Sequence, residues 1–311
     1  MRVILTDQVF PTVALEQEEF GQRGYEFIVA SDRDHALDLL KEADAVLTTY
    51  MPLSAEVIDS MRNAKIIARY GIGVDNIDVR AASARGISVT NVPDYCVEEV
   101  ATHALAMALS LVRGLPAADH AVRQGGWGVG AVRPVHRLSA MTVGLLGVGR
   151  IGGSVARTLA TLGPRIIAHD PYAPALPAGV EAVSLEQVFA ESDLLLLHAP
   201  LTEATRGIVN SARLDTMKDG SFIVNVARGP LIVLEDVIAA LRSGKLKGAG
   251  IDTFPQEPLA DTSVLEDVPG LILSPHTAFY SEEALVESQR KAIDQVVKVL
   301  DGRVPDYPIL G

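Results

Sequence analysis

Short apolar runs alternate with longer helix-like patterns through the first hundred residues. Five of these runs have the length and composition of strands: Val3–Leu5, Glu26–Val29, Ala45–Thr48, Ile66–Ala68 and Ser88–Thr90. Parallel strands joined by helices produce such alternation, because each strand needs a crossover before the next strand can pair with it. We therefore predict a parallel sheet covered by helices in this part of the chain.

A second series of the same kind follows a long helical pattern. Ala and Leu recur at helix spacing from Val97 to about Arg113, with an apolar face too wide for a surface helix. Six further strands are predicted beyond it: Thr142–Leu146, Arg165–Ala168, Leu194–Leu197, Phe222–Asn225, Ala249–Asp252 and Leu271–Leu273. Most are continuous apolar runs, as expected of strands buried on both faces, and six strands complete a dinucleotide-binding sheet. A last helix is predicted from about Ser281 to Leu300, and Gly302 ends it.

Composition and charge narrow the class of protein. With 311 residues, 48% hydrophobic and 21% charged, the chain has room for about two globular domains. No run approaches the roughly 18 apolar residues of a membrane helix. A net charge of −12 argues against nucleic acid and anionic membranes as partners. The single cysteine, Cys96, excludes an intrachain disulfide, and we expect a cytoplasmic protein without a bound metal, since no His, Asp or Glu set has zinc spacing.

A glycine-rich turn between a strand and a helix indicates a dinucleotide site. Gly147, Gly149 and Gly152 form the pattern G-x-G-x-x-G directly after an apolar strand. The first glycine permits the tight turn, the second lets backbone approach the pyrophosphate, and the third lets helix and strand pack closely. The helix that opens at Arg150 and Ile151 offers N–H groups and a partial positive charge to the phosphates.

The choice of cofactor is predicted from the end of the next strand. Asp170 can accept hydrogen bonds from the adenosine ribose hydroxyls and would repel a 2′-phosphate. Pro171 and Tyr172 follow, with no adjacent Arg to receive that phosphate. NAD is therefore predicted in preference to NADP.

Three polar residues follow apolar strands in the C-terminal half: Arg228, Glu257 and His276. That edge of an open α/β sheet is where ligands bind. A 2-oxo acid needs a planar cation for its carboxylate and carbonyl oxygen, which a guanidinium supplies. The carbonyl oxygen also needs a proton as hydride arrives at carbon, and histidine can supply it near neutral pH. A carboxylate beside the histidine would orient its ring, so we predict these three as the catalytic residues.

These motifs resemble those of the D-isomer-specific 2-hydroxyacid dehydrogenase family. The resemblance runs through Gly147–Gly152, Asp170, Asn225–Gly229, Glu257–Pro258, Ser274–His276 and, in the N-terminal half, Arg69–Asp78. The steps of 29 residues from Arg228 to Glu257 and 19 from Glu257 to His276 also look like family spacing. Nearly the whole chain is covered, and motifs in this order are highly specific.

The resemblance implies an α/β fold of two Rossmann-like or flavodoxin-like domains, each with a doubly wound parallel sheet, and a cleft between them. A discontinuous substrate-binding domain would comprise 1–98 plus 282–311, and an NAD-binding Rossmann domain would comprise 99–281. The helix from Val97 to Arg113 and the glycine loop around Trp127 resemble the segment through which family members form dimers. A homodimer is therefore expected.

The resemblance also implies further binding residues. Asp252 would contact the nicotinamide carboxamide, and Thr102 lies where members touch cofactor, at a position that is commonly acidic in the family. Other cofactor contacts are implied for Ala199, Pro200, Ala227 and Arg228. Substrate contacts are implied for Tyr70, Gly71, Ile72, Arg228, His276 and Phe279. The backbone N–H groups of the loop that contains the first three would hold the substrate carboxylate.

Alternatives to a metabolic dehydrogenase remain. Pro93–Glu99 and His276–Glu283 look most like the C-terminal-binding-protein branch, whose animal members are NAD-sensing corepressors. The alternative function is therefore a binding protein with little or no turnover, although the chain shows neither a long disordered tail nor a basic targeting run, which favours an enzyme. A formate dehydrogenase is related by fold, but that family has an amide in place of Glu257. The substrate side chain stays open, because small apolar 2-oxo acids, glyoxylate and hydroxypyruvate all fit the residues.

Overall fold

The computed structural model of this chain describes residues 1–310, which form two compact units. One unit, called the split unit, combines Met1–Tyr95 with the segment that begins at Ser281. The other, the continuous unit, is Cys96–Tyr280. The sequence predicts these divisions after residues 98 and 281. Gly311, the last residue of the predicted substrate-binding domain, lies outside the described residues.

The elements of residues 1–310 are numbered along the chain. The strands are β1 (Arg2–Leu5), β2 (Glu26–Val29), β3 (Ala45–Thr48), β4 (Ile66–Arg69), β5 (Ser88–Thr90), β6 (Thr142–Leu146), β7 (Arg165–His169), β8 (Val180–Ala182), β9 (Leu194–Leu197), β10 (Ser221–Asn225), β11 (Leu246–Ile251), β12 (Leu271–Leu273) and β13 (Pro308–Ile309). The α-helices are α1 (Ala14–Gln22), α2 (Arg33–Leu40), α3 (Ala55–Ser60), α4 (Val79–Ala84), α5 (Val97–Arg113), α6 (Leu115–Arg123), α7 (Arg150–Ala160), α8 (Leu185–Glu191), α9 (Ser211–Thr216), α10 (Leu234–Ser243) and α11 (Glu282–Leu300).

The sheet of the split unit has the strand order β13-β5-β4-β3-β1-β2. Its first five strands are parallel in the flavodoxin-like order 2-1-3-4-5, and β13 joins the edge antiparallel to β5. The central strand β3 is buried at every residue, as expected of a sheet covered on both faces. The parallel sheet predicted for this part of the chain is therefore confirmed, while β13 was not predicted.

The sheet of the continuous unit has the order β12-β11-β10-β9-β6-β7-β8, and all its pairs are parallel. Its first strand, β6, lies between β7 and β9, so the strand order reverses there. Ligands bind outside the carboxyl ends of strands at such a point. The predicted fold class is confirmed, but the predicted count of six strands is wrong. The extra strand β8 is only three residues long and lacks buried side chains, so it shows no apolar run in the sequence.

The long helix α5 has the bounds that its apolar pattern predicts. One face packs on α7, β10 and β11 through its buried residues Val100, Ala101, Ala104, Leu105, Met107, Ala108, Leu111 and Val112. The helix ends at Gly114, whose φ of 64° a side chain would resist. Among residues 1–310, no single helix is long and apolar enough to cross a membrane; α5 and α6, bent by 61° at their junction, reach that length and composition only as a pair.

Candidate active site

The predicted glycine turn joins β6 to α7 at the point where the strand order reverses. Gly147 has a φ of 88°, and a Cβ there would lie 2.7 Å from the carbonyl oxygen of His198. A Cβ on Gly152 would lie 2.3 Å from the carbonyl oxygen of Gly147. Both glycines are therefore required by close packing. Around Gly149 nothing lies within 4 Å of a Cβ, so the amino end of α7 is open to a ligand.

Asp170 follows β7 and is tied to this turn. Its Oδ2 accepts the N–H of Val148 at 2.7 Å, and its Oδ1 accepts the N–H groups of Tyr172 at 2.9 Å and Ala173 at 3.1 Å. The residue is partly exposed. A carboxylate has about four acceptor sites, so capacity is left for ribose hydroxyls. Asp170 therefore shapes the turn and fits the cofactor role predicted for it.

A cavity of about 790 Å³ opens beside the amino end of α7. Its walls come from α7, from the loop after β7 and from the start of α5: Val97, Val148, Gly149, Arg150, Gly153, Arg157, Ala160, Ala175, Leu176, Pro177 and Ala178. The lining combines two arginines, Arg150 and Arg157, with mostly apolar residues. The predicted cofactor residues Gly149 and Arg150 are among these residues, and Ile151 is partly buried within α7.

The loop after β9 forms the neighbouring wall of the dinucleotide site. His198 donates its backbone N–H to Leu146 at 2.7 Å, and Ala199 and Pro200 follow it, partly or fully exposed. Among the described residues, Nε2 of His198 is a buried atom without a hydrogen-bond partner. Burial lowers the pKa of this imidazole to about 4, so it is neutral near pH 7.

Arg228 lies in a loop whose backbone is bonded by the side chain of Asn225, the fully buried last residue of β10. The Asn225 side chain donates to the carbonyl oxygen of Arg228 at 2.9 Å and accepts the N–H of Ala227 at 3.1 Å. A Cβ on Gly229 would lie 1.9 Å from the carbonyl carbon of Phe254. The absence of that Cβ brings the Arg228 loop against the backbone that leads to Glu257.

Glu257 and His276 form a close pair. Glu257 Oε2 lies 2.6 Å from His276 Nδ1, and Oε1 accepts the N–H of Phe254 at 2.8 Å. Burial alone would raise the pKa of Glu257, but the hydrogen bonds from His276 and Phe254, with the charges of His276 and Arg228, hold that pKa below its usual value. Glu257 is thus ionised at neutral pH, and Nδ1 of His276 carries a proton toward it.

His276 has a left-handed backbone conformation, and its ring lies against an aromatic side chain. Its φ is 53°, in the left-handed region that residues other than glycine rarely adopt. The ring of Phe279 stands edge-on to the imidazole, with 6.1 Å between ring centroids. The side chain of His276 is 28% exposed.

The remaining cofactor predictions lie in different surroundings. Asp252 is completely buried, and its carboxylate accepts hydrogen bonds from Ser274, Thr277 and Ala278. Thr102 is exposed on α5, and its hydroxyl donates to the carbonyl oxygens of Glu98 and Glu99 in the same helix. The cofactor roles inferred for both residues stay predictions.

Tyr70, Gly71 and Ile72 belong to the split unit, at the end of β4. The side chain of Tyr70 is 3% exposed, and its hydroxyl donates to Glu16 at 2.8 Å. Burial, followed by the charge and hydrogen bond of Glu16, raises the pKa of Tyr70 well above its usual value. The Tyr70 side chain therefore packs inside the split unit. The substrate contact predicted for this loop would have to be made by its backbone N–H groups.

Three supporting residues were not predicted as site residues: Asn225, Ser274 and His103. Asn225 and Ser274 stand beside predicted strand ends, a signal that could have found them. His103 is one of seven histidines, and nothing in its helical pattern marks it. Among residues 1–310, no group of three or more His, Cys, Asp or Glu residues is arranged to hold a metal ion.

This geometry defines a dinucleotide-binding domain with a hydrogen-bonded glutamate–histidine pair and an arginine at the carboxyl edge of its sheet. Residues 105–278 match the family model described as D-isomer specific 2-hydroxyacid dehydrogenase, NAD binding domain. The D-3-phosphoglycerate dehydrogenase of Mycobacterium tuberculosis is 35% identical over 315 residues, covering 99% of this chain and 59% of that protein. The hydroxypyruvate reductase of Thermotoga maritima is 37% identical over 271 residues, covering 86% of this chain and 87% of that protein.

A solved structure of similar fold is the D-lactate dehydrogenase from Aquifex aeolicus complexed with NAD and lactic acid. It matches with a TM-score of 0.90 and 25% identity, over 100% of this chain and 99% of that chain. The chain spans only 59% of the length of the phosphoglycerate dehydrogenase named above. The chain belongs to the D-isomer-specific 2-hydroxyacid dehydrogenase family, and its continuous unit carries the family's NAD-binding domain.

Proposed function

We propose that this chain is an NAD-dependent reductase of 2-oxo acids and, in reverse, a D-2-hydroxyacid dehydrogenase. The observation that carries the proposal is the 2.6 Å contact between Glu257 Oε2 and His276 Nδ1, in the unit that binds the dinucleotide. A histidine oriented by an ionised carboxylate is suited to moving a proton to or from its other ring nitrogen. The full positive charge of the neighbouring Arg228 suits an anionic substrate.

His276 is the general acid of the reduction in this proposal. Its Nδ1 is committed to Glu257, so Nε2 is the atom that donates. NADH, when bound, would supply the hydride that adds to C2 of the 2-oxo acid and would be left as NAD⁺. As that C–H bond forms and the carbonyl π bond breaks, the proton on Nε2 moves to the carbonyl oxygen and leaves His276 neutral. In the oxidation, neutral Nε2 takes the hydroxyl proton back.

Arg228 binds the substrate carboxylate and carbonyl oxygen through its planar guanidinium. One N–H of this group, on Nη1, already donates to the carbonyl oxygen of Ala227 at 2.7 Å, which restricts where the guanidinium can lie. A fixed fork binds a 2-oxo acid in one orientation, so only one face of C2 would be open to the hydride. Phe279, beside the imidazole, would limit the size of the substrate side chain.

The dinucleotide would be held by the residues already described at the amino end of α7. The open space over Gly149 admits the pyrophosphate to the backbone N–H groups at Arg150 and Ile151. Asp170 would accept the hydroxyls of the adenosine ribose. Substrate contacts from the loop at Tyr70 to Ile72 are part of the same proposal.

A homodimer is also proposed, through α6 and the glycine loop that follows it. No residue of α6 is buried, and its apolar side chains Leu115 and Val122 are 55% and 56% exposed. Trp127 and Val129 in the loop are 93% and 58% exposed. Contiguous apolar groups of this kind mark an interaction surface. A second copy of the chain is the partner that would cover them.

The test is oxidation of NADH with a panel of 2-oxo acids: glyoxylate, pyruvate, hydroxypyruvate, 3-phosphohydroxypyruvate and longer apolar members. Arg228→Lys should raise KM and lower kcat, because the charge stays but the fork is lost, while NADH affinity holds. Arg242→Lys, at an exposed position in α10, is the matched control. Binding of NADH without turnover of any member would instead favour the binding-protein alternative, and turnover of formate alone would favour the formate dehydrogenase.

A further inference from the structure

A chain of hydrogen bonds runs behind the acid–base pair. His103, on α5, has its Nε2 2.9 Å from the hydroxyl oxygen of Ser274, just after β12. The same hydroxyl lies 2.5 Å from Oδ1 of Asp252, just after β11. His103 Nε2 is itself 3.7 Å from that carboxylate oxygen. Three elements of the continuous unit thus meet at Ser274, and none of these contacts involves Arg228 or Glu257.

Asp252 holds the backbone on both sides of His276. Its carboxylate accepts the N–H of Thr277 at 2.9 Å and of Ala278 at 3.2 Å. Its carbonyl oxygen accepts the N–H of His276 itself at 2.8 Å. A non-glycine residue at a φ of 53° keeps that conformation only when its surroundings enforce it. Asp252 therefore restrains the backbone on both sides of His276.

The direction of each hydrogen bond follows from the chemistry of the donors. An ionised carboxylate only accepts, and the two backbone N–H groups confirm that both oxygens of Asp252 act as acceptors. The hydroxyl proton of Ser274 must then point at Asp252. The oxygen of Ser274 can only accept from His103, so Nε2 of His103 carries a proton.

This order excludes the use of Ser274 as a nucleophile. In a hydrolytic triad the serine gives its proton to the histidine, and the carboxylate sits on the far side of the ring. Here Ser274 stands between His103 and Asp252, and its proton is directed to the acid. The chain is consequently arranged to hold Asp252 in place rather than to attack a substrate.

We propose that His103 is a positioning residue for the reaction proposed above. It fixes the rotation of the Ser274 hydroxyl, the hydroxyl fixes the Asp252 carboxylate, and Asp252 fixes the backbone that aims Nε2 of His276. The inference rests on the proposed function for its kinetic part. Its structural part, the protonated Nε2 of His103 and the setting of His276, holds whatever the substrate is.

Two isosteric comparisons test the kinetic part. Ser274→Thr keeps the hydroxyl and Ser274→Val removes it; His103→Gln keeps a donor at similar reach and His103→Leu removes it. We expect kcat within about twofold of wild type for Thr and Gln. Val should lose roughly tenfold or more, because the hydroxyl of Ser274 donates to a carboxylate, and Leu should lose about two- to tenfold, because the bond from His103 to Ser274 ends on a neutral hydroxyl. The Kd of NADH should change less than kcat in all four, since the glycine turn and Asp170 are not involved and only the predicted contact of Asp252 with the nicotinamide could be affected.

The double variant His103→Leu, Ser274→Val is the sharper measurement. If both residues act in one chain, the double variant should lose no more than the worse single variant, because groups in one network are not additive. If the fold-loss in kcat of the double variant equals the product of the two single losses, the proposal is overturned. It is also overturned by a wild-type kcat in His103→Leu, or by equal losses of kcat in Ser274→Thr and Ser274→Val. Ser274→Ala replaces Ser274→Val if the larger side chain prevents folding.

A readout without turnover separates this inference from the proposed function. In ¹⁵N-histidine NMR of the protein without cofactor, His103 should show a protonated Nε2, and the pH titration of His276 should shift between Ser274→Thr and Ser274→Val. An Nε2 of His103 without a proton, or identical His276 titrations, would defeat the inference. Failure of wild type to reduce any 2-oxo acid would defeat the proposed function alone.

Discussion

Single residues in this site perform more than one task, and Asp170 is the clearest case. Its carboxylate accepts the N–H of Val148 in the glycine turn while keeping capacity for a ribose. The same negative charge would repel a 2′-phosphate. Cofactor affinity and turn geometry are thus coupled through one side chain, and a substitution here has to be chosen to separate them.

Asp170→Ala should weaken NADH binding about ten- to a hundredfold, because charged hydrogen bonds of this kind contribute about 1.5–3 kcal/mol. Asp170→Asn keeps one acceptor oxygen, which can still serve Val148, but it loses the charge and the second acceptor used by Tyr172 and Ala173. We therefore expect the preference for NADH over NADPH to fall in both variants, but NADH affinity to fall further in Asp170→Ala. Equilibrium titration with both cofactors checks this, and an unchanged cofactor ratio in both variants would contradict it.

Glu257 links the proton transfer to pH. Its pKa is held below the usual value, so it is negative throughout the neutral range and supports a charged His276. Reduction should therefore slow, and oxidation should quicken, as pH rises and the imidazolium loses its proton. Glu257→Gln should move both limbs of the kcat/KM profile to lower pH, because the imidazolium loses its neighbouring charge. Coincident profiles for wild type and Glu257→Gln would show that the pair is not coupled.

His198 ties stability to pH in the acid range. Its pKa is about 4 in the folded protein, against about 6.5 in an unfolded chain, so the unfolded state binds more protons between these values. As pH falls from about 6.5 to about 4, the free energy of unfolding should therefore decrease by about 1.4 kcal/mol per pH unit. Denaturant unfolding of wild type and His198→Phe isolates this contribution. The difference between them should be constant above pH of about 6.5 and should change below it.

Among the helices and strands, the sequence predicts best those whose side chains are buried. The buried strands β3, β6 and β9 leave continuous apolar runs, and their predicted bounds agree with the structure. The edge strands β8 and β13 bury little, so backbone pairing alone defines them and no pattern marks them. Arg228, Glu257 and His276 were predicted because strand ends share one edge. The roles of Asn225 and Ser274 depend on loop conformation, which residue types do not reveal.

The contact between two loops depends on Gly229. In Gly229→Ala the new Cβ would overlap the Phe254 backbone, so the Arg228 loop and the Glu257 loop must separate. We expect a loss of about 1–3 kcal/mol in the free energy of unfolding, as for other overpacked sites, together with a fall in kcat. Gly21→Ala is the control, because a Cβ there meets nothing within 4 Å. Equal thermal stability of the two variants would contradict the close approach.

At the scale of the whole molecule, the exposed apolar surface of α6 and its loop should decide the oligomeric state. Val122→Glu places a charge among these side chains and should convert a dimer to a monomer, as measured by sedimentation velocity. Val304→Glu alters a residue that is 82% exposed but lies in the split unit, and should leave the dimer intact. A wild-type protein that sediments as a monomer at all concentrations would refute the proposed interface.

The division of the split unit has a consequence for biosynthesis. The buried Glu16 accepts hydrogen bonds from Gln289 on α11, 273 residues further along the chain, and α11 also packs on β3 and β4. A nascent chain therefore presents β3 and β4 without the helix that packs on them, and an acid without its amide donor, until α11 has left the ribosome. The continuous unit has every strand of its sheet by then and can fold first. The first strands to be synthesised thus belong to the unit that is completed last, so their apolar residues stay exposed for longest during translation.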